Sequence, residues 1–338
     1  MRRIKLDFCD FWPDHRKTDN YFYNLLSTQY DIVICDSPDF LICSCFGKDY
    51  LRYNCIRIFY TGENIRPNFV EYDYAFSFDY LNNPDNYRLP LYALYSDPRK
   101  LIKPEDFNVD AIMKEKTKFC SFVVSNPNGK IRNEFFFKLS QYKKVDSAGR
   151  LFNNVGGPVK DKYAFMKMYK FNIAFENSSH EGYSTEKIVE PMLSNSIPIY
   201  WGNRLVDRDF NPKSFINYYD YRDFDVLIER IIQIDNDDNL WGDYLRQPFY
   251  YNNEVNEFAR PENVLKQFDY IFNNDRVPVA QKRKPPVAQK RKPLSYFLIT
   301  YKPTISNLRR SPGFVRRQAV QICGKPGRWC KLTKRRKA

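Results

Sequence analysis

The chain has 338 residues, 43% hydrophobic and 17% aromatic, enough for two domains of ordinary size with real cores. Its net charge of +14 belongs to an appendage: residues 276–338 hold 19 of the 54 bases and none of the 40 acids, which leaves residues 1–275 with 35 bases against 40 acids, a net of −5. Two histidines and eight cysteines without a C-x-x-C pair exclude a Cys/His zinc module.

Buried, reduced thiols in a cytoplasmic protein are the expectation that follows. Asp7 and Asp10 interrupt the N-terminal apolar run too early for a signal peptide. The apolar stretch of the tail, Leu294 to Tyr301, is far below the ~20 residues that span a bilayer.

Arg3–Cys9, Asp31–Cys35, Phe40–Cys45, Ile56–Thr61 and Tyr74–Phe78 are rich in Ile, Val, Phe and Tyr and predict strands. Asn20–Tyr30 predicts a helix capped by Asp19, and the alternation argues a parallel α/β sheet. Gly62 turns the chain out of a buried strand and places Glu63 at a strand's carboxyl edge, where a catalytic group would sit. A turn carboxylate that caps the next segment is the other reading of Glu63. Prolines and aspartates from Leu89 to Phe107 lead out of this first domain, and the boundary is expected near Val109.

Lys118–Val124 predicts the next strand, Ser125–Gly129 a loop, and Ile131–Tyr142 a helix with Arg132 near its start. A cation at that position asks for an anion, although a solvated arginine on an amphipathic helix fits the same letters. The unit repeats further on. Phe171–Phe175 predicts a strand, Ser178–Ser184 a polar loop, Thr185–Asn195 a helix and Ile197–Trp201 a buried strand. Lys187 in a first helical turn opposes the macrodipole, and Ser184-x-x-Lys187 lacks the Glu or Gln of a capping box. A diphosphate is the natural partner of such a cation beside free N–H groups, and a solvated first-turn charge is the bland alternative. Pro191 removes the bond to the carbonyl of Lys187 and predicts a kink or an early end. Phe215–Asp220 and a helical pattern over Val226–Ile234 continue the fold, and Val255–Phe272 predicts a closing helix.

The block FENSSHEGYSTEK, 175–187, resembles the signature of the α-1,3-fucosyltransferases of glycosyltransferase family 10, and is most similar to bacterial members of the Helicobacter type. IPIYWGN and DFNPKSFINYYD extend the likeness, as do TGEN at 61–64, Pro67-Asn68-Phe69 and Tyr74-Ala75-Phe76. The resemblance implies a glycosyltransferase-B fold, two Rossmann-like domains facing a cleft: an acceptor-binding domain over 1–109, a GDP-fucose-binding domain over 110–275, and a basic tail over 276–338. It implies an inverting transfer of L-fucose from GDP-β-L-fucose to the GlcNAc 3-OH of N-acetyllactosamine-type glycans, the step that makes Lewis-type antigens. Type 1 chains are an alternative or additional acceptor. Carried over by motif, Glu63 is the general base, a role that burial would favour by raising its affinity for a proton. Arg132 and Lys187 hold the diphosphate, Glu186 bonds fucose hydroxyls and steadies charge at the anomeric centre, and Asn177 and Tyr183 position the donor. Ser125 and Asn126 are softer donor contacts.

Three D-x-D pairs, Asp207/Asp209, Asp223/Asp225 and Asp235/Asp237, lie outside these motifs. With two cations available no metal or other cofactor is expected. In the tail PVAQKRKP occurs at 278–285 and again at 286–293, and repeated prolines preclude a long helix. The tail shares the basic terminus of the Helicobacter-type enzymes but has no leucine heptads. Its aromatic residues among lysines and arginines suit an anionic membrane face, which predicts a peripheral protein at the inner side of the membrane. Nucleic acid would meet the same charge but is the weaker partner, and a glycosidase, the other enzyme with paired carboxylates, has no need of cations at helix starts.

Overall fold

In the computed structural model, which describes residues 1–282, two parallel sheets carry the chain. The first has six strands: β1 (Arg2–Cys9), β2 (Tyr30–Ile34), β3 (Phe40–Cys43), β4 (Ile56–Tyr60), β5 (Tyr74–Ser77) and β6 (Asn86–Arg88), in the order β2-β1-β3-β4-β5-β6. The second has five: β7 (Lys118–Phe122), β8 (Val145–Ser147), β9 (Tyr169–Phe175), β10 (Ile197–Trp201) and β11 (Ile216–Asn217), in the order β11-β10-β9-β7-β8. All pairs are parallel, as the alternation of strand and helix signals requires. Strands β4, β5 and β10 are buried at every position, Arg57 and Ser77 included, so none of them shows the alternation of a strand with one solvent face. Each sheet also reverses its strand order once, between β1 and β3 and between β7 and β9. Ligands of open α/β sheets collect outside the carboxyl ends at such points.

Three predicted helices shift at their ends, each for a local reason. Asn20, not Asp19, caps the first, its side chain accepting from Tyr23 N at 3.0 Å, and the helix covers only Tyr21–Leu26 before β2 begins. The closing helix starts at Pro261, whose fixed φ suits a first position, rather than at Val255. Helix Glu186–Leu193 ends two residues beyond Pro191, and Asn195 turns the chain with φ 51°. The early end is therefore the way Pro191 acts.

Two segments pack differently from what the expected limits suggest. Helix Pro261–Phe272 lies within the span expected to form the second domain, yet it covers the first sheet. Its stripe of Val264, Leu265, Phe268, Ile271 and Phe272 is buried there, with Phe268 stacked on Phe76 at 4.5 Å and Phe272 against Phe40 at 4.6 Å. An apolar stripe says that a helix is buried but not against which sheet. Replacing Phe268 by alanine is expected to lower stability by about 3–5 kcal/mol, read as a fall in the urea midpoint at unchanged slope.

The start of the expected tail also belongs to the body. Arg276 pairs with Asp85 at 2.7 Å and lies over the Tyr74 ring, and Val279 N donates to Asp73 at 2.8 Å. The repeated octapeptide from residue 283 onward, and with it the expected membrane-facing segment, lies outside the described residues. Among the described residues no helix is long and apolar enough to cross a membrane, and six cysteines are free thiols, of which Cys43, Cys55 and Cys120 are buried.

Candidate active site

Strand β9 ends on Phe175, and the next residue, Glu176, is fully buried. Its carboxylate accepts from Thr185 N at 2.8 Å and from Thr185 Oγ1 at 2.7 Å, while Thr185 Oγ1 caps helix Glu186–Leu193 by accepting from Lys187 N. Gly202 leaves room for this carboxylate, since a Cβ there would stand 2.4 Å from Glu176 Cγ. The loop between strand and helix is thus closed on itself by a buried acid.

Lys187 answers that acid. Its Nζ lies 2.8 Å from Glu186 Oε1, 3.4 Å from Glu176 Oε2 and 3.2 Å from Thr185 Oγ1. Burial alone would make this ammonium easier to deprotonate, but Glu176 and then Glu186 outweigh it and hold Lys187 well above the ordinary lysine range. Burial likewise pushes the Glu186 carboxyl upward, and Lys187 more than reverses the effect. For Glu176 burial wins, so its carboxyl binds a proton more readily than usual despite Lys187. The cation therefore faces two carboxylates, and a phosphate at the same place would share a positive charge already fixed in position.

Arg132 stands where the sequence put it, near the start of helix Lys130–Tyr142, but its guanidinium has a different surrounding from the one expected. The residue is fully buried; Nη1 donates to Asn177 Oδ1 at 2.5 Å and Nη2 to the Asn126 carbonyl at 2.6 Å. Gly129 makes the space, because a Cβ there would meet the guanidinium carbon at 2.7 Å. Burial lowers the pKa of the group and the charge of Glu176 opposes the change. Arg132 thereby ties the loop after β7 to the loop after β9, behind Asn126 and Asn177.

Those two loops leave the sheet on either side of its reversal of strand order, and a cavity of about 330 Å³ opens there. Ser125, Asn126, Asn177, Glu186 and Lys187 line it. Lys162 and Glu190 complete its polar wall, with Val123, Val124, Pro158 and Val159 among its apolar residues. Tyr183 is instead buried beneath the loop, its ring edge-on to Phe78, and burial pushes its hydroxyl pKa upward.

On the first sheet, β4 passes into Thr61, whose Oγ1 accepts from Glu63 N at 3.0 Å. Glu63 itself is exposed, so the burial expected to favour its protonation is not found. A turn that projects its carboxylate outward at the sheet edge explains the difference. Its neighbours cross to the second sheet: Asn64 Nδ2 donates to Ser178 Oγ at 2.8 Å, and Asp79, paired with Arg66 at 3.1 Å, meets His180 Nε2 at 3.1 Å. Gly182, with φ 86°, rests directly on the Phe78 carbonyl, to which a Cβ would come within 2.1 Å. Gly182→Ala is expected to lose about 2–3 kcal/mol from the clash and the left-handed backbone together, and to reduce turnover as loop 177–185 lifts; thermal unfolding and initial rates measure the two effects.

The crossing sets the turn of Glu63 against the loop after β9, through Asn64 on Ser178 and Asp79 on His180. Tyr183 lies in the fields of Glu176, Lys187 and Glu63, and Tyr95 in those of Glu186, Lys187 and Glu63. Gly62, next to Glu63, is itself 3.6 Å from the Tyr95 hydroxyl when given a Cβ. A second cavity of about 330 Å³ begins here, walled by Phe11, Trp12, His15, Tyr60, Gly62 and Tyr95.

Comparison with known proteins decides the family. Residues 6–95 match the α-(1,3)-fucosyltransferase FucT N-terminal domain, and residues 113–275 match the glycosyltransferase family 10 (fucosyltransferase) C-terminal region. A crystal structure of an α1,3-fucosyltransferase with GDP-fucose is 31% identical and superimposes with a TM-score of 0.71, over 82% of this chain and 93% of that one. The chain belongs to glycosyltransferase family 10. The α-(1,3)-fucosyltransferase FucT of Helicobacter pylori is 35% identical in an alignment 312 positions long that covers 80% of this chain and 63% of that protein. The human 4-galactosyl-N-acetylglucosaminide 3-α-L-fucosyltransferase 9 is 31% identical over 144 residues, 40% of this chain and 39% of its own. This chain therefore spans less than two thirds of the length of these relatives. As a family 10 member it has the glycosyltransferase-B type of fold, with its two parallel sheets.

Within that fold Tyr95 was not foreseen beside the site, and Glu176 was marked only as one of the loop's unusual polar residues. Glu176 had a signal, an acid at once after the apolar run FNIAF, where a strand's carboxyl end must be. Tyr95 had none, since only the folded chain carries it to Gly62. Four of the six D-x-D acids have structural roles: Asp209 is buried against Arg88 at 2.6 Å, Asp223 and Asp237 cap helices, and Asp235 takes Tyr142 and Lys143. Among the described residues no group of three or more His, Cys, Asp or Glu is placed to hold a metal ion.

Proposed function

We propose that this protein transfers L-fucose from GDP-β-L-fucose, with inversion, to the 3-hydroxyl of GlcNAc in N-acetyllactosamine-type glycans. The observation that carries the reading is the pair of cation and acid, Lys187 and Glu186, on the cavity between β7 and β9, whose loop is joined to the turn of Glu63 by the hydrogen bond from Asn64 to Ser178. Family membership supplies the chemistry those groups serve.

In this reading Glu63 accepts the proton of the acceptor hydroxyl, whose oxygen bonds to the anomeric carbon as the bond from that carbon to the β-phosphate oxygen breaks. GDP departs with the electron pair, and Lys187 with the first N–H groups of helix Glu186–Leu193 meets the charge that develops on it. Arg132 adds positive potential from behind while holding Asn126 and Asn177 against the donor. Glu186 bonds fucose hydroxyls and steadies positive charge at the anomeric carbon, Ser125 adds a donor contact, and Tyr183 supports the loop. These cations take the part that a metal ion plays elsewhere, so the reaction needs no added metal or cofactor. The acceptor lies along the aromatic-walled cavity beside Gly62, since sugar rings offer apolar C–H faces to aromatic rings.

The run of bases over 276–338 would further attach the enzyme to an anionic membrane surface. Incubating the full chain with GDP-fucose and either N-acetyllactosamine or a type 1 chain, with chelator present, tests the reading. An α-1,3 linkage on the first is expected; absence of any fucosylated product would refute the proposal, and an α-1,4 product on the second would widen it.

A further inference from the structure

Asp10 follows β1 in the left-handed region, with φ 61°, and the transfer just described makes no use of it. Its hydrogen bonds hold it there. The carboxylate accepts from Asp49 N at 2.8 Å and from Tyr50 N at 2.9 Å, closing the start of the turn Asp49–Arg52, and the Asp10 carbonyl accepts from Phe46 N at 2.9 Å. Gly47 leaves the room, since a Cβ there would stand 2.2 Å from Asp10 Oδ1. One residue thereby ties the loop after β1 to the loop after β3, where the first sheet reverses its strand order.

The tie sets two rings at a corner. Trp12 from the first loop and Phe46 from the second meet edge to face, with 6.5 Å between centroids and 89° between planes. Phe46 is 51% exposed and Trp12 44%, so each ring keeps about half of its surface free. The corner continues a file of rings that starts on β4: Tyr60 lies 6.2 Å from Phe11, and Phe11 5.5 Å from Trp12. Tyr60, Phe11 and Trp12 wall the cavity beside Gly62, and Phe46 stands outside that wall.

Asp14, Arg16, Asp19 and Asn20 also line the cavity. Carboxylates beside exposed rings disfavour an anionic lipid surface. They suit a glycan, whose ring C–H faces pack on aromatic rings while its hydroxyls bond to polar neighbours. In a carrier-bound glycan the chain beyond GlcNAc runs on from its reducing end, so a further sugar on that side is the group available to fill the corner.

We propose that Phe46, set against Trp12, is a specificity-determining residue that holds the sugar on the reducing side of the acceptor GlcNAc, so that extended chains are preferred to the free disaccharide. The assignment rests on the reading of the aromatic-walled cavity as the acceptor site.

Initial rates with two acceptors test it: N-acetyllactosamine, and the tetrasaccharide in which the same disaccharide is carried on lactose, with linkage analysis to count only transfer to GlcNAc. In the unmodified full chain kcat/KM for the tetrasaccharide is expected to exceed that for the disaccharide about threefold to tenfold, through KM, the scale of one well-packed aromatic contact. Phe46→Ala should bring the two within about twofold of each other by raising KM for the tetrasaccharide alone, and Phe46→Trp should keep the preference. Thermal unfolding checks that substitution at this exposed position leaves the fold intact. Equal kcat/KM for the two acceptors in the unmodified chain overturns the role of Phe46 and leaves the acceptor cavity standing. A Phe46→Ala variant that retains the preference, or that loses rate on both acceptors alike, overturns it as well. Transfer to neither acceptor by the unmodified chain overturns the acceptor reading itself and the assignment with it.

Discussion

Lys187→Ala is expected to remove transfer and to destabilise the fold at once. The stability loss should be about 3–5 kcal/mol, because the substitution strands the fully buried Glu176 carboxylate without its cation. The loss in kcat/KM should be at least about a hundredfold, the scale of removing one preorganised charge from a leaving group. Pairing the change with Glu176→Gln separates the two effects. The double variant should recover most of the stability, read by urea denaturation, and none of the transfer.

The stability deficit of Lys187→Ala should also depend on pH with a definite sign. Burial already raises the Glu176 pKa above that of the unfolded chain, and loss of Lys187 raises it further. A raised carboxyl makes the folded state the better proton binder, so stability falls as pH rises from the unfolded value of about 4.3 through the folded one. The deficit should therefore be smaller at pH 5 than at pH 7.5. In the parent chain Lys187 is raised and Glu186 lowered, so their contributions persist between the two unfolded values, the first fading at strongly alkaline pH and the second in acid. A deficit that did not vary with pH would show that Glu176 is not the group left behind.

Glu63→Gln should behave in the opposite way. The side chain is exposed and its loop is held by Thr61, Asn64 and Ser178, so stability should stay within about 0.5 kcal/mol of the parent. GDP affinity should be unchanged, because Glu63 comes from the other sheet. Only kcat should fall, by about a hundredfold to ten-thousandfold, the range for losing a general base. A drop below about tenfold in single-turnover rates would assign the proton to another group.

How much of this was readable in the letters depends on how local each feature is. Strands β4, β9 and β10 announced themselves because residues buried on both faces leave largely apolar runs, interrupted only by Arg57, Lys170 and Asn172. The positions of Lys187 and Arg132 at helix starts followed from loop and helix signals alone. What Arg132 does there did not, since its partners Asn126 and Asn177 lie on two different loops that only the sheet order brings together. Glu63 was placed correctly at a strand's edge, yet its exposure depends on the direction of one turn, which no residue type encodes. The destination of helix Pro261–Phe272 was equally hidden, as both sheets offer it an aromatic surface.

That last helix has a practical consequence for anyone who would divide the chain. The connection between β6 and β7 looks like the natural place to cut, but a fragment ending there would carry Phe22, Phe40 and Phe76 with no cover, inviting self-association. The polypeptide passes from one lobe to the other and returns, as a thread does in a stitch. A severed N-terminal half would need residues 261–282 supplied as a separate peptide, since they carry its cover and the Arg276 pair with Asp85.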